Sequence, residues 1–588
     1  MADSLAELLA ERALGQGDYL AYGFVTDGET EQQTITYGQL ASAAQQVAGH
    51  LSRRVFAGGR VVLVFEAGLD FLVAFFGCQL AGVVAVPVYP PSPSQPRTGM
   101  ANIARVVADC RAELILTSPA CLGFAAAAGG EPRLSGVPWV SVSEASGAGE
   151  PFVGGRVRGD SLALLQYTSG STGAPKGVQL RHEHLLANLA AMDWFVRRPT
   201  GGTVVSWLPM YHDMGLIGTV LYPLYRGMPG YLMSPLHFLQ RPSRWLQLIS
   251  RVSATISGGP SFAYQLCLRR AVDPAGLDLS SWEVAFNGAE PVNPEVLRSF
   301  ERTFAPAGLR PGTVVGCYGM AEASLLITGA RRDDPQRLLR VDSGELASGR
   351  VVECPTPDSA GRELVSCGTL PPGHDVRVVD PDSGRELPEG RVGEIWFHGP
   401  SLSTGYWRQP QETATAFGPG PLTPDGVVGP APRYLRTGDL GFRHGGQLYV
   451  TGRRKDLLIV RGRNVYPQDI EETVQQLDDR LRNGGGVAVP VTTPSGEGVE
   501  VIQEATSRDR EQLRQLALTV RTAVLTDHQV SLVAVHLVTP RSVLKTSSGK
   551  LRRAATAAAL HAGEMTVLYQ DHDPGEEARA DERAVGIG

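Results

Sequence analysis

Lysine is almost missing from this chain. Of 54 basic residues only four are lysines, Lys176, Lys455, Lys545 and Lys550, so arginine serves wherever a generic surface cation will do. Lysine is a compact point charge on a flexible stem and arginine a planar fork, which makes the positions that keep lysine candidates for needing that charge. A positive surplus is missing too: 60 acidic residues against 54 basic give a net charge of -6, and no general field exists to hold nucleic acid or an anionic membrane. Cysteine is sparse. Cys78, Cys110, Cys121, Cys267, Cys317, Cys354 and Cys367 are scattered without a CxxC pair, which predicts reduced thiols in a packed interior rather than a zinc site or disulfide scaffold. The most apolar stretch, from Phe71 to Tyr89, is broken by Gln79, Gly82 and Pro87; it predicts a buried helix running into a buried strand, not a membrane span. The opening MADSLAELLAERA lacks the basic n-region of a secretory signal. A cytoplasmic protein with no stable membrane insertion is expected.

What is present is ample. With 588 residues the chain can build three or four domain-sized units, and 69 glycines with 41 prolines mark it as loop-rich yet short of low complexity. From Arg60 to about Met320, β-branched runs such as RVVLVFE, VVAVPVY, TVVSWLP and TVVGCYGM alternate with helical patterns such as HEHLLANLAAMDWFV. That alternation predicts an α/β fold, parallel sheets covered by helices, with ligands at the carboxyl ends of the strands. Residues 341–450 shift to short strands with DPDSG and ELPEG turns, a β-rich subdomain, and a long surface loop is expected from Gly418. After Thr451 the pattern restarts as a compact α+β unit. The expected division is an N-terminal domain over 1–451, a small mobile C-terminal lid over 452–570, and a disordered acidic tail over 571–588.

One segment carries phosphate chemistry on its face. In YTSGSTGAPKGV, from Tyr167, glycines including Gly170 and Gly173 let backbone N–H groups approach phosphate oxygens. Thr168, Ser169, Ser171 and Thr172 add hydroxyl donors, and Lys176 adds positive charge. It is not a Walker loop, because Pro175 stands where that motif requires glycine.

This segment resembles the phosphate loop of the adenylate-forming superfamily: acyl-CoA synthetases, luciferases, peptide-synthetase adenylation domains and fatty acyl-AMP ligases. Further segments follow in the family's order: WLPMYHDMGLIG, NGAEPV, YGMAEAS, VGEIWFHGPSLSTGYW, YLRTGDLG, GRRKDLLIVRGRNVYPQDIE and LKTSSGKLRR. Together they extend the resemblance over nearly the whole chain. HDMGLIG, SPLHFLQRPSRWL, GGPSFAYQLCLRR, LVSCG and RGRNVYPQDIE are most similar to the fatty acyl-AMP ligase branch. Residues 335–364 resemble, in place and length, the insertion that in those ligases disfavours transfer to free coenzyme A.

The resemblance implies ATP-dependent activation of a fatty acid to an acyl-adenylate, release of pyrophosphate, and transfer to the phosphopantetheine thiol of a holo acyl carrier protein. The alternatives are an acyl-CoA synthetase or a non-catalytic member of the fold. It implies that Glu322, with Thr168, holds Mg2+, a cation that favours hard oxygen ligands. Tyr318 would offer a face to adenine, with Gly319, Met320 and Ala321 beside it and Asn287, Gly288, Ala289 and Glu290 opposite. Asp439, an acceptor-only carboxylate, suits the two ribose hydroxyls, assisted by Arg453. His212 would lie between the phosphate and acyl sites. Lys550 would bridge the acyl carboxylate and the α-phosphate, and Lys455 would sit at the hinge. The acyl chain would lie along Met214, Leu216, Ile217, Phe262 and Phe286.

Overall fold

The computed structural model describes residues 2–572 apart from 92–95, 125–130, 148–151, 153, 169–174, 198–200, 332, 335, 357–360, 424–432, 461–462, 494–495 and 547–548. Two helix-covered sheets form its larger part. The first has six strands in the order Trp139–Ser141, Leu114–Thr117, Arg60–Val64, Val84–Val88, Leu162–Thr168, Lys176–Arg181. All neighbours in it are parallel except the last pair, an antiparallel hairpin. The second has eight strands, running from Leu326–Gly329 through Val314–Gly319, Val284–Asn287, Ile256–Gly259, Val204–Ser206, Gly230–Met233 and Leu20–Val25 to Gln32–Thr36. Its centre is parallel and both edges are antiparallel. Strands such as Val84–Val88 are buried along their whole length, which is why they read as unbroken apolar runs: a parallel sheet is covered on both faces.

The apolar stretch from Phe71 is the helix Leu69–Ala81 followed by that strand. Ten of the helix's residues, from Phe71 to Ala81, are buried, as an all-round apolar helix requires. No helix among the described residues is long and apolar enough to cross a membrane. All seven cysteines are free thiols, five of them buried. An aromatic cluster supports the second sheet. Trp245, fully buried, meets Trp207, Phe238, Tyr264 and Trp282 edge to face; its indole N–H donates to Ser257 Oγ at 2.8 Å, which donates on to the Val205 carbonyl at 2.7 Å. A buried indole N–H needs such an acceptor.

Beyond Leu370 the chain forms an antiparallel sheet of five strands, Asp375–Val379, Gly393–His398, Tyr434–His444, Phe417–Gly418 and Gln447–Arg453. The loop expected from Gly418 lies largely outside the described residues. The last part has a four-stranded sheet, Leu481–Thr493, Gly496–Ala505, Leu532–Val538 and Val567–His572, with helices Pro467–Gln476, Arg510–His528 and Arg553–His561. It has its own core around Ile470, Val501, Leu516, Val520 and Val535. The strand Val567–His572 corrects the expected tail: residues 571 and 572 pair with Val535 and Ala534, and 573–588 lie outside the described residues.

The segment expected as an insertion makes a hairpin, Leu338–Val341 with Arg362–Val365, and a short helix, Ser343–Ala347. Its Leu339, Val341, Leu346 and Leu364 pack with Phe442 and Tyr449 of the five-stranded sheet and with Tyr466, which begins the last part of the chain. Ion pairs reach the same neighbours and the helix Pro294–Phe304. Glu363 meets Arg298 at 2.7 Å, Glu353 meets His444 at 2.9 Å, and Arg362 meets Asp469 at 3.0 Å while its guanidinium stacks 4.8 Å over Tyr466.

Candidate functional site

The carboxyl ends of strands Leu162–Thr168, Ile256–Gly259, Val284–Asn287 and Val314–Gly319 open onto one cleft of about 2990 Å³, closed from the other side by residues 453–456, 545–546 and 549–550. All four lysines of the chain line it. A surface distribution would not collect them there, so the scarcity of lysine does point to a site.

The side of the cleft that holds Asp439 and Tyr318 is assembled by strand register. Asp439 and Arg453 face each other across the hairpin Tyr434–His444/Gln447–Arg453, with Arg453 Nε 3.1 Å from Asp439 Oδ1. Tyr318, at the end of its strand, donates its hydroxyl to Asp439 Oδ2 at 2.8 Å. Burial, with the charge of Asp439 added, holds that phenol well above its ordinary pKa. Gly319, Met320, Ala321, Ala289 and Glu290 line the cleft. Asn287 and Gly288, between the lining residues Phe286 and Ala289, are themselves buried. Asn287 is fully buried and accepts a hydrogen bond from Ser261 Oγ at 3.0 Å. Gly288 backs onto Cys317, whose Sγ would lie 2.7 Å from any added Cβ.

On another side Thr168 and Lys176 line the cleft. Ser169, Gly170, Ser171, Thr172 and Gly173 lie outside the described residues. Glu322 is buried and accepts a hydrogen bond from the Tyr406 hydroxyl at 2.8 Å. Burial pushes its carboxyl pKa up, and that hydrogen bond pulls it back. Lys176 pairs with Glu412, and its Nζ sits 5.1 Å from the centroid of the Tyr406 ring.

A third group of charges gathers where the last part of the chain enters. Lys550 stands on a tight turn in which the Thr546 N–H donates to the Lys550 carbonyl at 2.8 Å. Gly549, at φ +87°, brings the turn to within 3.5 Å of Phe262, measured from the Cβ position. Burial pushes the Lys550 ammonium pKa down and Arg453 adds to this, while Asp213, Asp439 and Glu290 pull the other way. Asp213 is 2.6 Å from His212 Nδ1. Burial works to raise its pKa, but His212 and, behind it, Lys550 outweigh burial and leave it low. Glu290 accepts the Phe262 N–H at 2.7 Å, and burial leaves its pKa raised. Lys455, in the short helix Arg454–Asp456, also has its pKa lowered by burial and by Arg453. His182 and His184 lie elsewhere, as structural groups at a helix start: their Nδ1 atoms accept the Leu5 and Arg181 amides at 3.1 and 3.2 Å, and burial lowers both pKa values to about 4.

The apolar end is lined by Met214, Phe262 and Phe286, with Trp207 stacked on Phe238 at 4.1 Å and edge-on to Phe262 at 5.8 Å. Leu216 and Ile217 are a correction. Met214, Gly218 and Tyr222 line the cleft, whereas Leu216 and Ile217, where the α-helical turn passes into a π-helical one, belong to the core and are both fully buried. Sequence reading missed Trp207, Asp213, Tyr406 and Glu412. Asp213 lies in YHDMG beside His212, Trp207 opens WLPMYHDMGLIG and Tyr406 lies in STGYW, whereas no motif marks Glu412.

Known proteins resemble this chain over most of its length. The family described as AMP-binding enzyme matches residues 9–407, and the Disco-interacting protein 2-like AMP domain matches residues 455–570. A medium-chain-fatty-acid–[acyl-carrier-protein] ligase of Moorena producens is 38% identical over 94% of this chain and 94% of its own. A long-chain-fatty-acid–AMP ligase of Mycobacterium tuberculosis is 36% identical over 94% of this chain and 96% of its own. Among solved structures, one from a study of fatty acyl-adenylate ligases from E. coli and L. pneumophila superposes with a TM-score of 0.86 at 33% identity, covering 96% of this chain and 99% of that one. The chain belongs to the AMP-binding enzyme family and, within it, to the fatty acyl-AMP ligases.

Proposed function

We propose that this protein joins a fatty acid to AMP and then passes the acyl group to the phosphopantetheine thiol of an acyl carrier protein. In the first step a carboxylate oxygen attacks the α-phosphorus of ATP, the bond to the β-phosphate breaks and pyrophosphate leaves. In the second a thiolate attacks the acyl carbonyl and AMP leaves. The first step brings anion against anion, so the protein's work is to neutralise charge and align the partners.

The observation that carries this reading is Lys550, delivered from the last part of the chain into a cleft that already holds Asp439, Tyr318 and Arg453. Its turn meets the apolar wall at Phe262 through Gly549, and its ammonium answers to Asp439, Asp213 and Glu290, where a fatty carboxylate would meet the α-phosphate. Asp439 would take the ribose hydroxyls and Tyr318 the adenine face. Lys176 would take the outer phosphates, and His212, oriented by Asp213, would flank the carboxylate. Met214, Phe262, Phe286 and Trp207 would wall the acyl chain.

Mg2+ fits the donors present. Among the described residues no cluster of three or more His, Cys, Asp or Glu could cage a metal, and Mg2+ needs none, because it keeps several waters and takes phosphate oxygens beside one or two carboxylates. Glu322, with Thr168 nearby on the cleft wall, would hold it. The ion would supply charge neutralisation between phosphates.

We infer a division near residues 451–452 with Lys455 at the hinge, so that the part carrying Lys550 withdraws for the second step. The hairpin of residues 338–365 supports preference for a carrier over free coenzyme A: Arg362 and Tyr466 tie the two parts together, and contacts from a carrier surface can offset that bias where a small thiol cannot. The free thiols fit a cytoplasmic location. Fatty-acid-dependent pyrophosphate release, with the adenylate trapped by hydroxylamine, tests the reading. Release without fatty acid, or none with any chain length, would overturn it.

A further inference from the structure

The segment from Ser403 to Ala416 is not among the residues assigned above, yet it is bonded to both loops that carry phosphate-side charge. The Ser403 N–H donates to the Glu322 carbonyl at 2.8 Å. Two residues on, the Gln179 N–H donates to the Gly405 carbonyl at 2.9 Å and the Trp407 N–H to the Gly177 carbonyl at 2.7 Å. Tyr406 is thereby fastened opposite Val178, on the strand that begins with Lys176. Its side chain repeats the link: the hydroxyl donates to Glu322 Oε1 at 2.8 Å, and the ring lies under Lys176 Nζ at 5.1 Å from its centroid. The Tyr406 N–H donates to Thr413 Oγ1 at 2.9 Å, which brings the helix Pro410–Ala416 alongside and puts Glu412 on Lys176. Gly405 makes this possible. At φ +123° it lies where a Cβ would come within 2.4 Å of Thr413 Cγ2.

We propose that Tyr406 is a positioning residue that holds Lys176 and Glu322 at a fixed spacing for the triphosphate and its cation, and that Glu412 is the stand-in anion that Lys176 gives up when the phosphates arrive. Three features carry this. The phenol reaches the carboxylate and the ring reaches the lysine, so one rigid side chain spans both charges. The backbone on either side is bonded to both loops. Glu412 is half exposed while Lys176 is largely covered, so the acid can swing into water as phosphate oxygens replace it. An exposed ion pair of this kind is weak enough to exchange, whereas a hydrogen bond to a buried carboxylate is worth more and stays. The inference rests on the assignment of Lys176 to phosphate and Glu322 to Mg2+.

Calorimetric titration of the full chain separates these roles without relying on turnover. ATP is titrated first in chelator and then, in a second series, Mg2+ is titrated into the ATP complex. Glu412→Gln is expected to bind metal-free ATP about threefold more tightly at low salt, with the gap closing as salt rises. Tyr406→Phe keeps the ring and loses the hydroxyl. It should leave metal-free ATP affinity within about twofold but need about tenfold more Mg2+ for half-saturation, the size of one lost bond to a charged group. Tyr406→Leu, which also loses the ring face, should weaken metal-free ATP binding by a further factor of about three. A Tyr406→Phe protein that melts earlier but keeps the wild-type Mg2+ requirement would make Tyr406 merely structural and overturn the proposal; so would Glu412→Gln binding ATP no tighter than wild type. If the variants behave as stated while no fatty acid supports pyrophosphate release, the positioning role stands and the proposed reaction falls.

Discussion

On one side of the cleft Lys176 already has its partners, Glu412 for its charge and the Tyr406 ring against its side, and the strand it begins is tied to Gly405 and Trp407 by backbone hydrogen bonds. On the opposite side Lys550 stands on a glycine turn that touches the larger part of the protein at Phe262, and its buried charge answers to Asp213, Asp439 and Glu290 around it. One lysine is built in and the other is brought in. The difference suits the two steps proposed for the enzyme: ATP must be gripped before chemistry, whereas the group that neutralises the joining anions must leave before a carrier thiol can reach the same carbonyl.

Lys550→Ala should show the larger contrast. Removal of a cationic donor from a dry site costs about a hundred- to thousandfold in rate. Acyl-dependent pyrophosphate release should fall by that much, while ATP binding and transfer from supplied acyl-adenylate stay near wild type. Equal loss of both half-reactions would mean that Lys550 is part of the fixed site after all.

Asp439→Ala tests the built-in side. It removes the acceptor shared by Tyr318 and Arg453 and leaves two donors unpaired, so KM for ATP should rise about tenfold or more, with KM for fatty acid changed little. A larger effect on the fatty acid than on ATP would move Asp439 out of the nucleotide site.

Arg362→Ala addresses the tie between the two parts of the chain. With its pair to Asp469 and its stack on Tyr466 gone, acyl-CoA formation should rise about threefold without a matching rise in adenylate formation. A parallel rise in both would assign the segment a general role in stability.

The smallest effect is in pH. Burial lowers the Lys550 pKa below the ordinary lysine range, so the charged form is lost as pH rises through that lowered value. Adenylation kcat/KM should therefore decline on the alkaline side earlier than an exposed lysine would dictate. Lys550→Arg, which stays protonated, should move the falling limb upward even if its maximum rate is lower; an unmoved limb would assign it to another group.

Much of this arrangement was legible before any coordinates. Buried parallel strands announce themselves as apolar β-branched runs, and a scarce residue type kept at four positions turned out to mark one cleft. What was not legible depends on partners far apart in sequence. The Glu412–Lys176 pair spans 236 positions and Tyr406–Glu322 spans 84, separations that no local pattern encodes. Leu216 and Ile217 were misplaced because an apolar run beside a motif does not say which helical face meets the cleft. The strand Val567–His572 escaped because it is an edge strand with no buried residue, which leaves no hydrophobic alternation to read.

The central claim is a fatty acid activated by ATP for a carrier protein. Mass spectrometry of a holo carrier protein and of free coenzyme A, each offered in parallel with fatty acid, Mg2+ and ATP, tests it most directly. The account predicts a carrier heavier by one fatty acid less water, formed about tenfold or more faster than acyl-CoA. Acyl-CoA formed as fast as acylated carrier would contradict it.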